Sequence, residues 1–284
     1  MPSPALVLVD PVTGSFEAAD PGAPHLRVDD LAAVRGDGIF ETLLHRNGVS
    51  RALEAHLSRF ANSARMLDLP APDPQLWRSA IGAVIDNHGD ADEIAVRFTL
   101  SRGPDGANSP TGWALASTPS AAVLAERSNG IDVLALDRGF ASGTAERAPW
   151  LLLGAKTLSY AVNMAALRYA RQHDKHDVVF TTSDGVVLEG PTSTVVIARG
   201  RELLTPEPSS GILFGTMQRE LFRAASDAGW TCGYKDLSVQ DIVTADGAWL
   251  CSSVRLLAAI NSLDGRALPA DPKLQAEIKA LLLQ

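Results

Sequence analysis

Gly38-Ile-Phe-Glu-Thr-Leu-Leu-His45, followed at once by Asn47-Gly48, reads as a β-strand entering a tight hairpin turn. Directly after it the period changes. Apolar residues at 53, 57, 60, 61, 64 and 67 recur at three and four positions, which predicts a helix over 53–69 with His56, Arg59 and Ser63 on its more polar face. Working outward, residues 5–9 read as a first strand, 75–87 as a second helix, and 93–100 as a strand ended by Ser101-Arg-Gly-Pro104. Further strands are predicted at 113–116 and 131–135. Between those two, a short apolar stretch lies between the breaker clusters Ser117-Thr-Pro-Ser120 and Glu126-Arg-Ser-Asn-Gly130. Residues 117–129 are therefore expected to link an N-terminal domain, 1–116, to a larger one, 130–284. Beyond come a helix at 160–173, a hairpin over 177–198 turning at Asp184-Gly185, and a helix at 217–228. The chain reads as α+β in two domains, with no internal repeat.

The bulk numbers exclude several classes. A hydrophobic share of 46% and a charged share of 20% are those of a folded globular protein. The net charge of −8, with no basic run, argues against nucleic acid and anionic membrane as partners and for a small-molecule substrate. Only Cys232 and Cys251 are present, and Met1-Pro-Ser-Pro4 lacks the features of a signal peptide, so a cytoplasmic location is expected. No apolar run approaches the roughly 18 residues of a membrane-spanning helix, and no metal centre is expected.

Five lysines stand against twenty arginines, which leaves few candidates for lysine chemistry. A lysine that attacks an aldehyde must be neutral, and so needs a desolvated setting that lowers its pKa from about 10.4. Lys175, Lys235, Lys273 and Lys279 sit in polar surroundings, whereas Lys156 follows the apolar run Trp150-Leu-Leu-Leu-Gly-Ala155 and precedes a predicted helix. A second feature is Gly185-Val-Val-Leu-Glu-Gly-Pro-Thr-Ser-Thr-Val-Val-Ile197, with one carboxylate, Glu189, among apolar and small residues. An anion of that kind beside a pyridine nitrogen keeps the nitrogen protonated and the ring electron-withdrawing. A third is Ser209-Ser-Gly-Ile-Leu-Phe-Gly-Thr-Met-Gln-Arg219, a glycine loop running into a helix near Gly215 and Thr216, the arrangement that binds phosphate. Ser252-Ser253 offers another hydroxyl-bearing turn, and Arg59 a counter-charge. Taken singly, each has a plainer reading: a surface lysine, an edge-strand glutamate, ordinary helix capping, a solvated arginine.

Together, Arg35-Gly-Asp-Gly-Ile-Phe-Glu-Thr42, His56-Leu-Ser-Arg59, Gly154-Ala-Lys156, Leu188-Glu-Gly190, Gly215-Thr216 and Cys251-Ser-Ser253 resemble, in order and spacing, the fold-type IV pyridoxal-phosphate enzymes. That family contains branched-chain and D-amino-acid aminotransferases and 4-amino-4-deoxychorismate lyases. The resemblance covers nearly the whole chain. It implies a small α/β domain, a larger barrel-like cofactor-binding domain, pyridoxal 5'-phosphate between them, and a homodimer. It further implies that Lys156 forms the Schiff base and shuttles the proton, and that Glu189 pairs with the pyridine nitrogen. Arg59, Ser253 and the backbone at Thr216 and Met217 hold the phosphate, with Gly215 and Ser252 in the same two loops. Tyr160 stands near the family tyrosine beside the cofactor, one residue off its spacing in the branched-chain enzymes.

Within the family, D-amino-acid aminotransferases trap the substrate carboxylate with an arginine and a histidine two residues apart. The corresponding stretch here, Arg102-Gly-Pro-Asp-Gly-Ala-Asn-Ser-Pro110, lacks that pair. Glu189-Gly-Pro-Thr-Ser-Thr194 is closer to lyase-like sequences than to the branched-chain pattern. The favoured reading is therefore a lyase of folate biosynthesis that yields 4-aminobenzoate and pyruvate, with an aminotransferase of D- or branched-chain amino acids as the alternative. A non-catalytic phosphate-binding protein is the reading from another class, since it would need neither Lys156 nor Glu189. Arg97 and Arg102 are candidate anchors for a substrate carboxylate, surface ion pairing being the other use for them.

Overall fold

The computed structural model describes residues 3–107 and 109–283. Met1 and Pro2, from the N-terminal stretch examined for a leader, and Asn108, from the 102–110 stretch, lie outside the described residues. The chain divides into two compact units, residues 1–120 with 155–160, and residues 121–154 with 161–284.

The first unit holds strands β1 (Ala5–Asp10), β2 (Ser15–Ala19), β3 (Gly38–Arg46), β4 (Val49–Ser50), β5 (Glu93–Ser101) and β6 (Thr111–Ser117). They form one antiparallel sheet in the order β2-β1-β6-β5-β3-β4. Its helices are α1 (Leu31–Arg35), α2 (Leu53–Met66) and α3 (Pro74–His88). Asp73 caps α3 by accepting from Gln75 N at 2.8 Å, and Pro74 supplies a preset φ in the first turn. Alternation along β3 and β5 brings Ile39, Leu43, Val96 and Phe98 to full burial, together with Phe60 of α2 and Trp77 of α3. Phe60, Trp77 and Phe98 meet at centroid separations of 4.9 to 5.9 Å, and each such burial contributes roughly 2–3 kcal/mol.

Residues 155–160, which carry Lys156, return to this unit and run along β3. Phe40 N donates to Lys156 O at 3.0 Å and Leu158 N to Gly38 O at 2.8 Å. Gly38 permits that approach: a Cβ there would stand 2.7 Å from Leu100 O and 2.8 Å from Leu158 Cδ1.

The second unit contains α4 (Ala121–Asn129), β7 (Ile131–Asp137), α5 (Thr144–Arg147), α6 (Ala161–Gln172), β8 (Asp177–Thr181), β9 (Thr194–Arg199), β10 (Glu202–Thr205), α7 (Thr216–Asp227), β11 (Thr231–Tyr234), α8 (Val239–Val243), β12 (Gly247–Ser252), β13 (Leu256–Leu263), β14 (Arg266–Ala267) and α9 (Pro272–Leu283). The sheet order is β11-β10-β9-β12-β13-β7-β8, with β14 on β13. The pairs β10/β11, β7/β13 and β7/β8 are parallel and the rest antiparallel. The sheets of both units curl as half-barrels, in keeping with the barrel-like expectation. Strand β8, paired in parallel, is buried at every residue, which accounts for its unbroken Val-Val-Phe run.

The predicted helices at 53–69, 75–87, 160–173 and 217–228 are present to within a few residues. Residues 117–129, expected to be a linker, contain helix α4, which belongs to the second unit. The hairpin expected over 177–198 is shorter. Its turn closes through Thr182 N to Val186 O at 2.8 Å and Phe180 N to Glu189 O at 2.9 Å. At Gly190 the chain turns again, with Gly190 N donating to Ser193 O at 2.8 Å, and β9 leaves to pair with β10 and β12. Among the described residues no helix is long and apolar enough to cross a membrane.

Candidate active site

In the first unit the polar face of α2 meets one carboxylate. His56, Arg59 and Ser63 follow each other at helical spacing, and β3 presents Glu41 to them from the buried side of its alternation. Arg59 Nε donates to Glu41 Oε1 at 2.5 Å and Nη2 to Oε2 at 2.8 Å, a two-pronged pairing. His56 Nδ1 lies 2.7 Å from Glu41 Oε2, and both side chains are fully buried.

Burial opposes the Glu41 charge, but the Arg59 guanidinium and the hydrogen bonds from Arg59 and His56 outweigh it and hold the carboxyl at about 2. Burial lowers His56 below its usual value; Glu41 pulls the other way, and the charges on Arg59 and Lys156 add to the lowering. The ring is then neutral at pH 7, and since the carboxylate can only accept, Nδ1 carries the hydrogen and donates. Ser63, nearly fully buried, accepts from Lys156 N at 3.1 Å. Arg59 is thus fixed rather than solvated, and the same helix face braces the backbone of Lys156.

The Lys156 side chain is half-buried, with Nζ 4.7 Å from the Phe40 ring centroid and 5.8 Å from that of Tyr160. Phe40 and Tyr160 meet edge-on at 5.1 Å. The apolar run ahead of the lysine is not what desolvates it, because Trp150 is 75% exposed and Leu151 49%. What stands beside its Nζ is the aromatic pair. The segment is also extended here, helix α6 starting only at Ala161. Lys235, Lys273 and Lys279 are exposed and Lys175 half-buried.

Arg97, exposed on β5, stacks on the same ring as Lys156, its Cζ 5.1 Å from the Phe40 centroid. Arg102 is used otherwise. Its Nε donates to Asp37 Oδ2 at 2.6 Å, and its Nη2 reaches both Asp37 Oδ1 at 3.2 Å and Leu67 O at 2.6 Å, just past the end of α2. That is a structural tie between the Asp37 turn and the helix.

In the second unit Glu189 is half-buried between Leu188 and Gly190, and its Oε2 accepts from Leu213 N at 3.2 Å. Helix α7 begins after Gly215, an N-cap with extended backbone and no capping side chain. A Cβ on Gly215 would collide with Thr194 Oγ1 and lie 3.1 Å from Gln218 Cβ. Thr216 and Met217 form the buried first turn, and Thr216 Oγ1 stands 3.3 Å from Ser253 Oγ, so helix start and Ser252–Ser253 turn come together. Within one unit the structure thus groups Lys156, Tyr160, Arg59 and Arg97, and within the other Glu189, Gly215, Thr216, Met217, Ser252 and Ser253.

Sequence reasoning left out Glu41 and Phe40 as site residues. Glu41 had a signal: it is the one charged residue at a core-facing position between Ile39 and Leu43. Phe40 had none, since an aromatic residue in a strand is ordinary core.

Residues 38–263 match the family model for class IV amino-transferases. A bifunctional aminodeoxychorismate lyase / D-amino acid transaminase of Mycobacterium tuberculosis is 47% identical over 92% of this chain and 93% of its own. Among solved structures, a fold IV transaminase from Curtobacterium pusillum is 40% identical with a TM-score of 0.94, covering 99% of this chain and 97% of that one. A hypothetical aminotransferase from Mycobacterium tuberculosis, in its α-ketoglutarate- and PMP-bound form, is 46% identical with a TM-score of 0.92, covering 97% of this chain and 98% of that one. Pyridoxal phosphate is the cofactor of this family. The chain belongs to the class IV amino-transferases, the fold-type IV pyridoxal-phosphate enzymes.

Proposed function

We propose that this chain is a 4-amino-4-deoxychorismate lyase that releases 4-aminobenzoate and pyruvate, and that it also transaminates D-amino acids. The observation that carries both is the 47% identity, over nearly the whole of both chains, to a protein named for those two activities. The lack of an Arg-x-His pair in residues 102–110 weighed against D-amino acids, but the name of that relative favours keeping them as the second reading.

The residues fit the cofactor. A glycine N-cap without a capping side chain, beside the Thr216 and Ser253 hydroxyls, suits a phosphate, whose charge the α7 N-terminus would balance; Arg59 is the phosphate residue that the family resemblance adds. Glu189, already accepting a backbone N–H, has the chemistry to hold a pyridine nitrogen protonated. Pyridoxal phosphate, when bound, supplies an aldehyde for a lysine and a ring that takes up an electron pair from the substrate carbon. Lys156 would be the residue that holds that aldehyde, and its Nζ would carry the proton taken from the carbon bearing the substrate amine. Phe40 and Tyr160 shield that nitrogen from water. Glu41 and His56 set the direction of the Arg59 guanidinium. Arg97, on the same ring as Lys156, is the proposed anchor for the substrate carboxylate. We also propose a homodimer in the cytoplasm, consistent with the exposed apolar Val162 and Tyr169 on α6.

The test is a pyruvate-release assay with aminodeoxychorismate and no keto acid, beside D-alanine with α-ketoglutarate. We expect pyruvate from the first and slower amino transfer in the second. Turnover of the amino-acid pair with none of aminodeoxychorismate would overturn the lyase assignment and leave the cofactor assignment intact.

A further inference from the structure

Helix α4 buries none of its own side chains, yet two of its charged residues reach the turn that follows β12. Arg127 Nε donates to Val254 O at 3.1 Å, and Nη2 reaches the same oxygen. Glu126 Oε2 lies 2.8 Å from Arg255 Nε, while Arg255 Nη1 donates to the fully buried Asp177 Oδ2 at 2.6 Å. Arg255 N in turn donates to Ser252 Oγ at 3.3 Å. Leu256, the next residue, has φ of +62°, a left-handed conformation that is unfavourable for a non-glycine residue and persists only where its surroundings enforce it. Val254 is held by its carbonyl, Arg255 by its side chain, and Leu256 in the left-handed backbone that follows them. The residue that this turn presents is Ser253, 3.3 Å from Thr216 at the start of α7.

We propose that Glu126, Arg127 and Arg255 form a clamp that fixes the Ser252–Leu256 turn for the cofactor phosphate. They are positioning residues: Arg127 holds the Val254 carbonyl, Glu126 and Asp177 hold Arg255, and both act on the phosphate through Ser253. The inference rests on the pyridoxal-phosphate reading above.

The experiment is a titration of the apo-protein with pyridoxal 5'-phosphate and, separately, with pyridoxal, which has the aldehyde and ring but no phosphate. Binding is read from the visible absorbance of the lysine-linked ligand. Arg127→Met removes the hold on Val254 while keeping a side chain of similar length. By analogy with outer-shell partners of bound ions, we expect it to weaken the phosphorylated ligand about tenfold and to change pyridoxal by less than about twofold, with Arg127→Lys restoring part of the loss. Glu126→Gln, in which Arg255 keeps Asp177, carries the same expectation through the other contact. An unchanged ratio of the two affinities in both variants, or an equal loss for both ligands, would overturn the clamp. Should the wild-type protein itself bind both ligands equally, the phosphate site of the proposed function fails, and the clamp with it.

Discussion

Glu41 is the residue on which the polar cluster of the first unit turns, because the Arg59 and His56 side chains both hydrogen-bond to it and one charge balance depends on it. Its carboxyl, ordinarily near 4.5, is held at about 2, so folding favours its charged form, and the sign is fixed: the stabilisation is complete above pH 4.5 and is lost as pH falls toward about 2. For a fully buried group a shift of that size corresponds to about 3 kcal/mol. His56 acts in the same sense from higher pH, since a ring held neutral must take up a proton on unfolding below its usual 6.5. We therefore expect Glu41→Gln to lower the unfolding free energy by about 3 kcal/mol at pH 7, measured by urea denaturation, and the gap to wild type to close between pH 4.5 and about 2. A gap that stays constant down to pH 2 would mean that the ion pair contributes nothing. Glu41 was visible in the sequence as a charge in a core-facing position. Its partners were visible as a polar face, but the pairing across fifteen residues of chain required the fold.

At the scale of elements, the candidate site depends on an extended segment that returns along β3. Residues 155–160 lie along β3 only because Gly38 has no side chain, so Gly38→Ala should displace the segment that carries Lys156. Overpacking of this kind costs typically about 1–3 kcal/mol, and we expect that loss in thermal unfolding together with a fall in kcat larger than the rise in KM. Wild-type kcat in this variant would show that the strand tolerates the shift. The helices were legible because their period is local: spacing placed α2, and α3, α6 and α7 were predicted to within a few residues. The strand after Gly190 was not. Gly190 and Pro191 signalled a break, but the choice of β10 and β12 as partners for β9 is made by residues far along the chain. Helix α4 was hidden for a different reason, having breakers at both ends and no buried face to impose a period.

For the whole molecule, six short motifs in register carried the family from sequence, and the chemistry common to that family followed. What the motifs do not carry is the choice between expelling a leaving group and transferring an amine, since both begin with the same proton at the same carbon, and the pocket around it decides. Lys156, Glu189 and the start of α7 stand far apart in sequence. Each is supplied by a different strand end or turn: β3 with its returning segment, the turn after β8, and the loop before α7. The most direct measurement is borohydride reduction of the protein loaded with pyridoxal phosphate, followed by peptide mass mapping. We predict a reduced adduct on the peptide containing Lys156 and on no other. An adduct on Lys175, Lys235, Lys273 or Lys279, or none at all, would contradict it.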